Sequence, residues 1–185
     1  MAKMKLFFLL VLVCGLMPVM ATERIKFNGE FYTLQEVVKT PTIQDGYRNT
    51  YVRENETPQN WNKMIVIQTY PNLKDPEQAI KRIRQKYPSS PAAIHGNYTV
   101  AKHGLIFSLI LLNMNNGKPV YENNLIRFEE IKNAGLISYQ YIERFPITDM
   151  NNTKAVLDAI AKDQAHLTQL VKKLNIPSIK KEKNP

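Results

Sequence analysis

The residue types that carry most catalytic and metal chemistry are sparse in this chain, which has three histidines and one cysteine among 185 residues. His95 and His103 fall at opposite ends of one predicted strand, ~26 Å apart at strand rise, so they do not meet around a metal or a phosphodiester. His166 lies on a predicted helix three residues after Asp163, close enough for a local pair only. Neither H-E-x-x-H nor any other paired-ligand spacing occurs, so the sequence implies no metal and no cofactor. Nucleophiles are equally unsupported. There is no G-x-S-x-G turn, and Ser89, Ser90, Ser108, Ser138 and Ser178 lie in turn, strand or tail contexts, with Ser108 reading as a small core filler. No phosphate-binding loop is present.

Carboxylates supply the enzymatic alternative, since glycan cleavage needs little more than two of them at a set separation. Glu129 and Glu130 are adjacent and point to opposite sheet faces, whereas Glu122 and Glu143 offer a cross-strand pair that spacing alone does not place. A hydrolase of cell-envelope polymers therefore stands as the competing class. His95, Lys102 and His103 are the parts of a ribonuclease, but their separation and the lack of disulfides oppose it. Alternating aromatics such as Tyr98, Phe107, Tyr121, Phe128, Tyr139 and Tyr141 suit core and cross-strand pairs better than base stacking, and no nucleic acid is expected as a partner. The residues suited to binding are the lone Trp61 and the basic pair Arg82 and Arg84, set on a helix whose Lys81, Arg82, Arg84 and Lys86 otherwise form a solvated face.

Residues 1–21 determine where such a protein would work. Lys3 and Lys5 precede an uncharged run from Leu6 to Met20, and Val19-Met20-Ala21 suits a signal peptidase, so the segment reads as a cleavable secretory signal. The run is shorter than the ~20 residues of a bilayer-spanning helix and contains Pro18, which opposes an uncleaved anchor. Cys14 follows Val13 inside the run, which opposes lipidation. Cleavage after Ala21 removes the only cysteine and leaves a disulfide-free chain whose stability comes from its core. It also lowers the net charge from +9 to +7, a mild basic bias concentrated partly in Lys180, Lys181 and Lys183. The expected organisation is a signal peptide over 1–21, one domain over 22–176 and a basic disordered tail over 177–185. The mature protein would be periplasmic or secreted and not integral to the membrane.

The domain must position these residues with alternating strands and two helices. Asn28-Gly29 between alternating runs predicts a hairpin from Ile25 to Leu34, a strand follows over Arg48 to Arg53, and Met64 to Tyr70 is a β-branched run of the doubly buried type. Asp75-Pro76 predicts a helix start, with Ala79, Ile80, Ile83 and Tyr87 on one face. Strands are predicted over Ala93 to Lys102, Leu105 to Met114, Val120 to Ile131 and Leu136 to Phe145, and then a helix from Asn152 to Leu174.

This order predicts an α+β fold, an antiparallel sheet packed against two helices. With Trp61 leading into the Met64 strand, the Asp75-Pro76 helix, the meander and the closing helix, the chain resembles the family of the photosystem-II extrinsic subunit PsbP and its bacterial envelope relatives. That resemblance implies a PsbP-like sandwich and carries no catalytic residue. The function expected is non-catalytic binding of an envelope component, whether protein, lipid or anionic polymer, or of a small ligand at the sheet rim or a cleft beside a helix. A secreted factor acting on a host or neighbouring cell is a further alternative.

Overall fold

The computed structural model of the protein describes residues 23–40 and 46–182. The export signal assigned to 1–21 lies outside them, as do residues 183–185 of the tail. Among them, strands and α-helices follow in the order β1 (Arg24–Phe27), β2 (Glu30–Thr40), β3 (Gly46–Arg53), β4 (Lys63–Tyr70), α1 (Pro76–Lys86), β5 (Ala93–His95), β6 (Thr99–Ala101), β7 (Gly104–Asn115), β8 (Lys118–Ile131), β9 (Gly135–Pro146) and α2 (Thr153–Lys173), the last preceded by a 3-10 turn over Met150–Asn152. The strands form one antiparallel sheet in the order β1-β2-β3-β4-β9-β8-β7-β5, with β6 also on β7.

The sheet is curled. Phe27 on β1 lies four strand positions from β9, a gap of ~19 Å in a flat sheet. Its ring centroid nevertheless stands 4.9 Å from that of Tyr141 and 5.7 Å from that of Tyr139. The sheet is therefore a half-barrel, and the face carrying Phe27, Tyr139 and Tyr141 is its inner face.

The two helices lie on opposite faces. Register places Leu125 opposite Tyr141 and Arg127 opposite Tyr139 on the inner side, and Ile126 opposite Gln140 and Phe128 opposite Ser138 on the outer side. Leu167 and Val171 of α2 pack with Tyr32, Tyr51, Ile65, Ile67, Leu125 and Tyr139 inside the curl. Ala79 and Ile80 of α1 pack with Leu73, Phe107, Leu109, Ile126, Phe128 and Leu136 outside it. This corrects the PsbP-like sandwich expected from element order: a single half-barrel sheet carries one helix on each face. Each fully buried side chain of this size contributes roughly 1.5–3 kcal/mol, so a helix with only two or three of them is held chiefly by its sheet contacts.

Two local differences from the sequence reading have physical causes. The predicted strand over Ala93 to Lys102 breaks into β5 and β6, because Gly96 runs so close to Ser108 that any side chain there would collide with the Ser108 hydroxyl. The segment after α2, where a disordered tail was expected from residue 177, lies against the inner core through Ile176 and Ile179, and Lys180 pairs with Glu23 at 3.2 Å. The β1–β2 hairpin turns where expected, with φ of 47° at Asn28 and 80° at Gly29, the left-handed values that a two-residue turn requires. Asp75 caps α1 by accepting from the Glu77 amide at 2.9 Å.

Candidate functional site

α1 covers only part of the outer face, and a cleft of about 510 Å³ opens along its edge. Helical spacing decides which residues reach it. Ala79, Arg82, Ile83, Lys86 and Tyr87 recur at three- and four-residue intervals, so they form one stripe that makes the helix wall. The sheet wall comes from outward-pointing positions of four neighbouring strands. Leu109 and Leu111 are on β7, Asn124, Ile126 and Phe128 on β8, Gln140 and Ile142 on β9, and Gln68 and Tyr70 on β4. The cleft is thus apolar where the helix meets the sheet and amide-lined farther out.

The polar floor is ordered by its own hydrogen bonds. Gln140 Nε2 donates to Asn124 Oδ1 at 2.9 Å, and Asn124 Nδ2 donates to the Glu122 carbonyl at 2.9 Å. Glu122 is the one carboxylate lining the cleft among the described residues, and both its oxygens are engaged. Arg144 Nε donates to Oε1 at 3.0 Å and Asn113 Nδ2 to Oε2 at 3.2 Å. With side chains only 11% exposed on each side, this pair neutralises itself inside the wall. Among the described residues the cleft's uncompensated charges are the exposed cations Arg82 and Lys86.

The three sequence-nominated residues separate. Arg82 lines the cleft, exposed and without a hydrogen bond or ion pair among the described residues. Arg84 points to the other flank of α1, where its guanidinium lies 5.3 Å from the Phe107 ring centroid and Nη2 donates to the Gly96 carbonyl at 3.4 Å. It borders a smaller hollow of about 310 Å³ in which Asp75 and Glu77 offset Lys81 and Arg84. Trp61 is buried with Val52, Met64, Val66 and Ile142, and the Arg144 guanidinium lies flat over it at 3.6 Å from the ring centroid. It does not line the cleft itself and adjoins it through Ile142, which lines both, and through Arg144, which is paired with the cleft residue Glu122.

The other chemistry-bearing residues disperse. Glu122 and Glu143 face opposite sides of the sheet, since register sets Glu122 against Arg144 and Glu143 against Asn123. Glu129 is tied to Arg127. Glu143 accepts from the Tyr141 hydroxyl at 2.9 Å and shares Lys63 with Glu30, at 3.6 and 2.8 Å. Burial would raise the Glu30 carboxyl, but hydrogen bonds from Lys63 and Arg53 hold it below the ordinary range. His95 meets the Tyr87 carbonyl at 2.5 Å, His166 meets Asn28 on the far side of the sheet, and His103 sits in the turn before β7. Among the described residues no group of three or more His, Cys, Asp or Glu is placed to hold a metal, and no helix is long and apolar enough to cross a membrane.

The residues missed from sequence were Gln68, Asn124 and Gln140. Gln140 carried a signal, because a polar side chain in mid-strand between Tyr139 and Tyr141 must face either a partner or a site, whereas Asn124 follows Asn123 and Gln68 precedes Thr69.

A solved structure of LpqN, involved in cell envelope biogenesis of Mycobacterium tuberculosis, is similar over 79% of this chain and 70% of its own, at 10% identity and a TM-score of 0.36. That likeness is too distant to carry function across. No curated protein sequence matches significantly. A protein-family model matches residues 19–176, most of the chain, and the protein belongs to that family.

Proposed function

We propose that this is an exported, non-catalytic binding protein of the cell envelope that takes a small ligand in the cleft between α1 and the outer face of the sheet. The observation that carries this reading is the cleft itself: about 510 Å³, apolar at depth, with a few ordered amides and unpaired charge at the mouth. That is the size and lining of small-molecule sites, where apolar walls supply affinity and a few polar groups supply orientation. Its one carboxylate is locked to Arg144 and Asn113, which suits a binding wall better than an acid–base pair. Export rests on residues 1–21, with their two lysines, uncharged run and Val19-Met20-Ala21 end.

The test is to express the full chain with its own leader in a Gram-negative host and recover it from the periplasmic fraction for native mass spectrometry. The reading expects a chain beginning at Thr22 and carrying a small-molecule adduct that is missing from Gln140→Trp, whose indole fills the cleft. Unprocessed protein in the cytoplasm would contradict export. An adduct equally present in Gln140→Trp would contradict the cleft.

A further inference from the structure

We infer that the cleft's ligand is an amphipathic anion, a hydrocarbon or aromatic body ending in a carboxylate or phosphate; this rests on the binding reading above and specifies its chemistry. Depth and mouth differ in the required way. Leu73, Ile83, Leu109, Ile126 and Phe128 line the inner end, where a body without hydrogen-bonding groups leaves nothing unsatisfied. Arg82 and Lys86 stand four residues apart, one helical turn, so these two exposed cations lie on the same edge of the helix wall of the cleft. Lys86 leans over the Tyr87 ring, its Nζ 5.1 Å from the centroid, which holds the ammonium beside a cleft wall. Arg82, with no partner among the described residues, keeps a planar fork of donors matched to carboxylate or phosphate oxygens.

A cationic ligand is disfavoured by the same geometry. Among the described residues the only carboxylate in the wall is already saturated by Arg144 and Asn113, so a cation would meet two positive side chains and no free negative one among them. A neutral ligand would fill the apolar end and leave Arg82 unused.

The experiment measures binding of decanoate, decyl phosphate, decanol and decylammonium to the mature protein by calorimetry at low ionic strength, below their micelle concentrations. Three variants accompany it. Arg82→Glu/Lys86→Glu reverses charge at the cleft mouth. Lys81→Glu/Arg84→Glu makes the same change on the other flank of the same helix. Gln140→Trp blocks the cleft. The anions are expected to bind at least about tenfold more tightly than decanol and decylammonium, the effect of one charge-assisted hydrogen bond. That advantage should vanish in Arg82→Glu/Lys86→Glu and persist in Lys81→Glu/Arg84→Glu. Tighter binding of decanoate assigns a carboxylate head, and tighter binding of decyl phosphate a phosphate head. If decanol equals the anions and Gln140→Trp abolishes both, the ligand class is overturned and the binding cleft stands. If no probe binds in a way that Gln140→Trp abolishes, both fall.

Discussion

Arg144 and Glu122 face one another across β9 and β8, joined at 3.0 Å, and the same guanidinium lies 3.6 Å above the ring of Trp61. One side chain thereby adjoins the hydrophobic cluster around Trp61 and cancels the only negative charge in the cleft wall among the described residues. Because both partners are largely buried, Arg144→Met strands a carboxylate away from water, and it is expected to cost about 3 kcal/mol in urea denaturation. Glu122→Gln/Arg144→Met should recover part of that loss, since no charge is left unpaired. Trp61 is the chain's sole tryptophan, so its emission should shift to the red in both variants.

Arg127 performs a corresponding task on the inner face. Its Nη1 donates to the carbonyls of Val171, Lys172 and Leu174 at 2.8, 3.2 and 2.6 Å, which satisfies the open C-terminal end of α2 from the middle of β8. Arg127→Met is expected to lose about 3 kcal/mol, with the largest loss of amide-exchange protection in the last turn of α2. Uniform loss of protection along α2 would show that the arginine does not act at that turn.

Acid should weaken the β2–β3–β4 corner first. Burial opposes ionisation of Glu30 and Glu56, but Lys63 and Arg53 beside Glu30, and Arg53 and the Asn62 amide beside Glu56, hold both carboxyls below their ordinary value. A depressed folded pKa contributes stability above the unfolded value and loses it as pH falls through the folded one, here from about pH 5 downward. Stability against urea should decline over that range, and less steeply in Glu30→Gln/Glu56→Gln.

Alkali acts in the opposite sense on the buried tyrosines. Desolvation raises Tyr32, Tyr51, Tyr70, Tyr139 and Tyr141 above the ordinary phenol value of 10.0. A raised folded pKa contributes stability below the unfolded value that is lost as pH rises past about 10, so these phenols should ionise only as the protein unfolds. An absorbance titration should show these five of the nine tyrosines ionising with the unfolding transition. The Tyr139 hydroxyl is buried without a partner among the described residues, so Tyr139→Phe is expected to stabilise the fold by about 1 kcal/mol.

Local chemistry was legible in the sequence, and the assignment of faces was not. Asn28-Gly29 and Asp75-Pro76 announced the hairpin and α1 because turns and caps depend on a few adjacent residues. From Val120 to Phe128 every residue of β8 is buried, so alternation in the central strands could not say which helix covers which face. Gly96 read as an ordinary strand residue because its close approach to Ser108 is a tertiary contact. The lysines after residue 179 masked Ile176 and Ile179, which dock on the core. Arg82 and Arg84, two residues apart, were paired by charge, yet helical geometry turns them to different flanks of α1. The cleft needed the sheet order, since its walls come from β4, β7, β8, β9 and α1.

The central claim, a ligand cleft on the outer face beside α1, is tested most directly by methyl NMR of isoleucine- and leucine-labelled protein titrated with decanoate and with decanol. The account predicts saturable shifts at Leu109, Leu111, Ile126 and Ile142, which line the cleft, while Ile65, Ile67, Ile160 and Leu167 on the inner side stay in place. Shifts confined to the inner-side methyls, or no saturable shift at the cleft methyls with either probe, would contradict it.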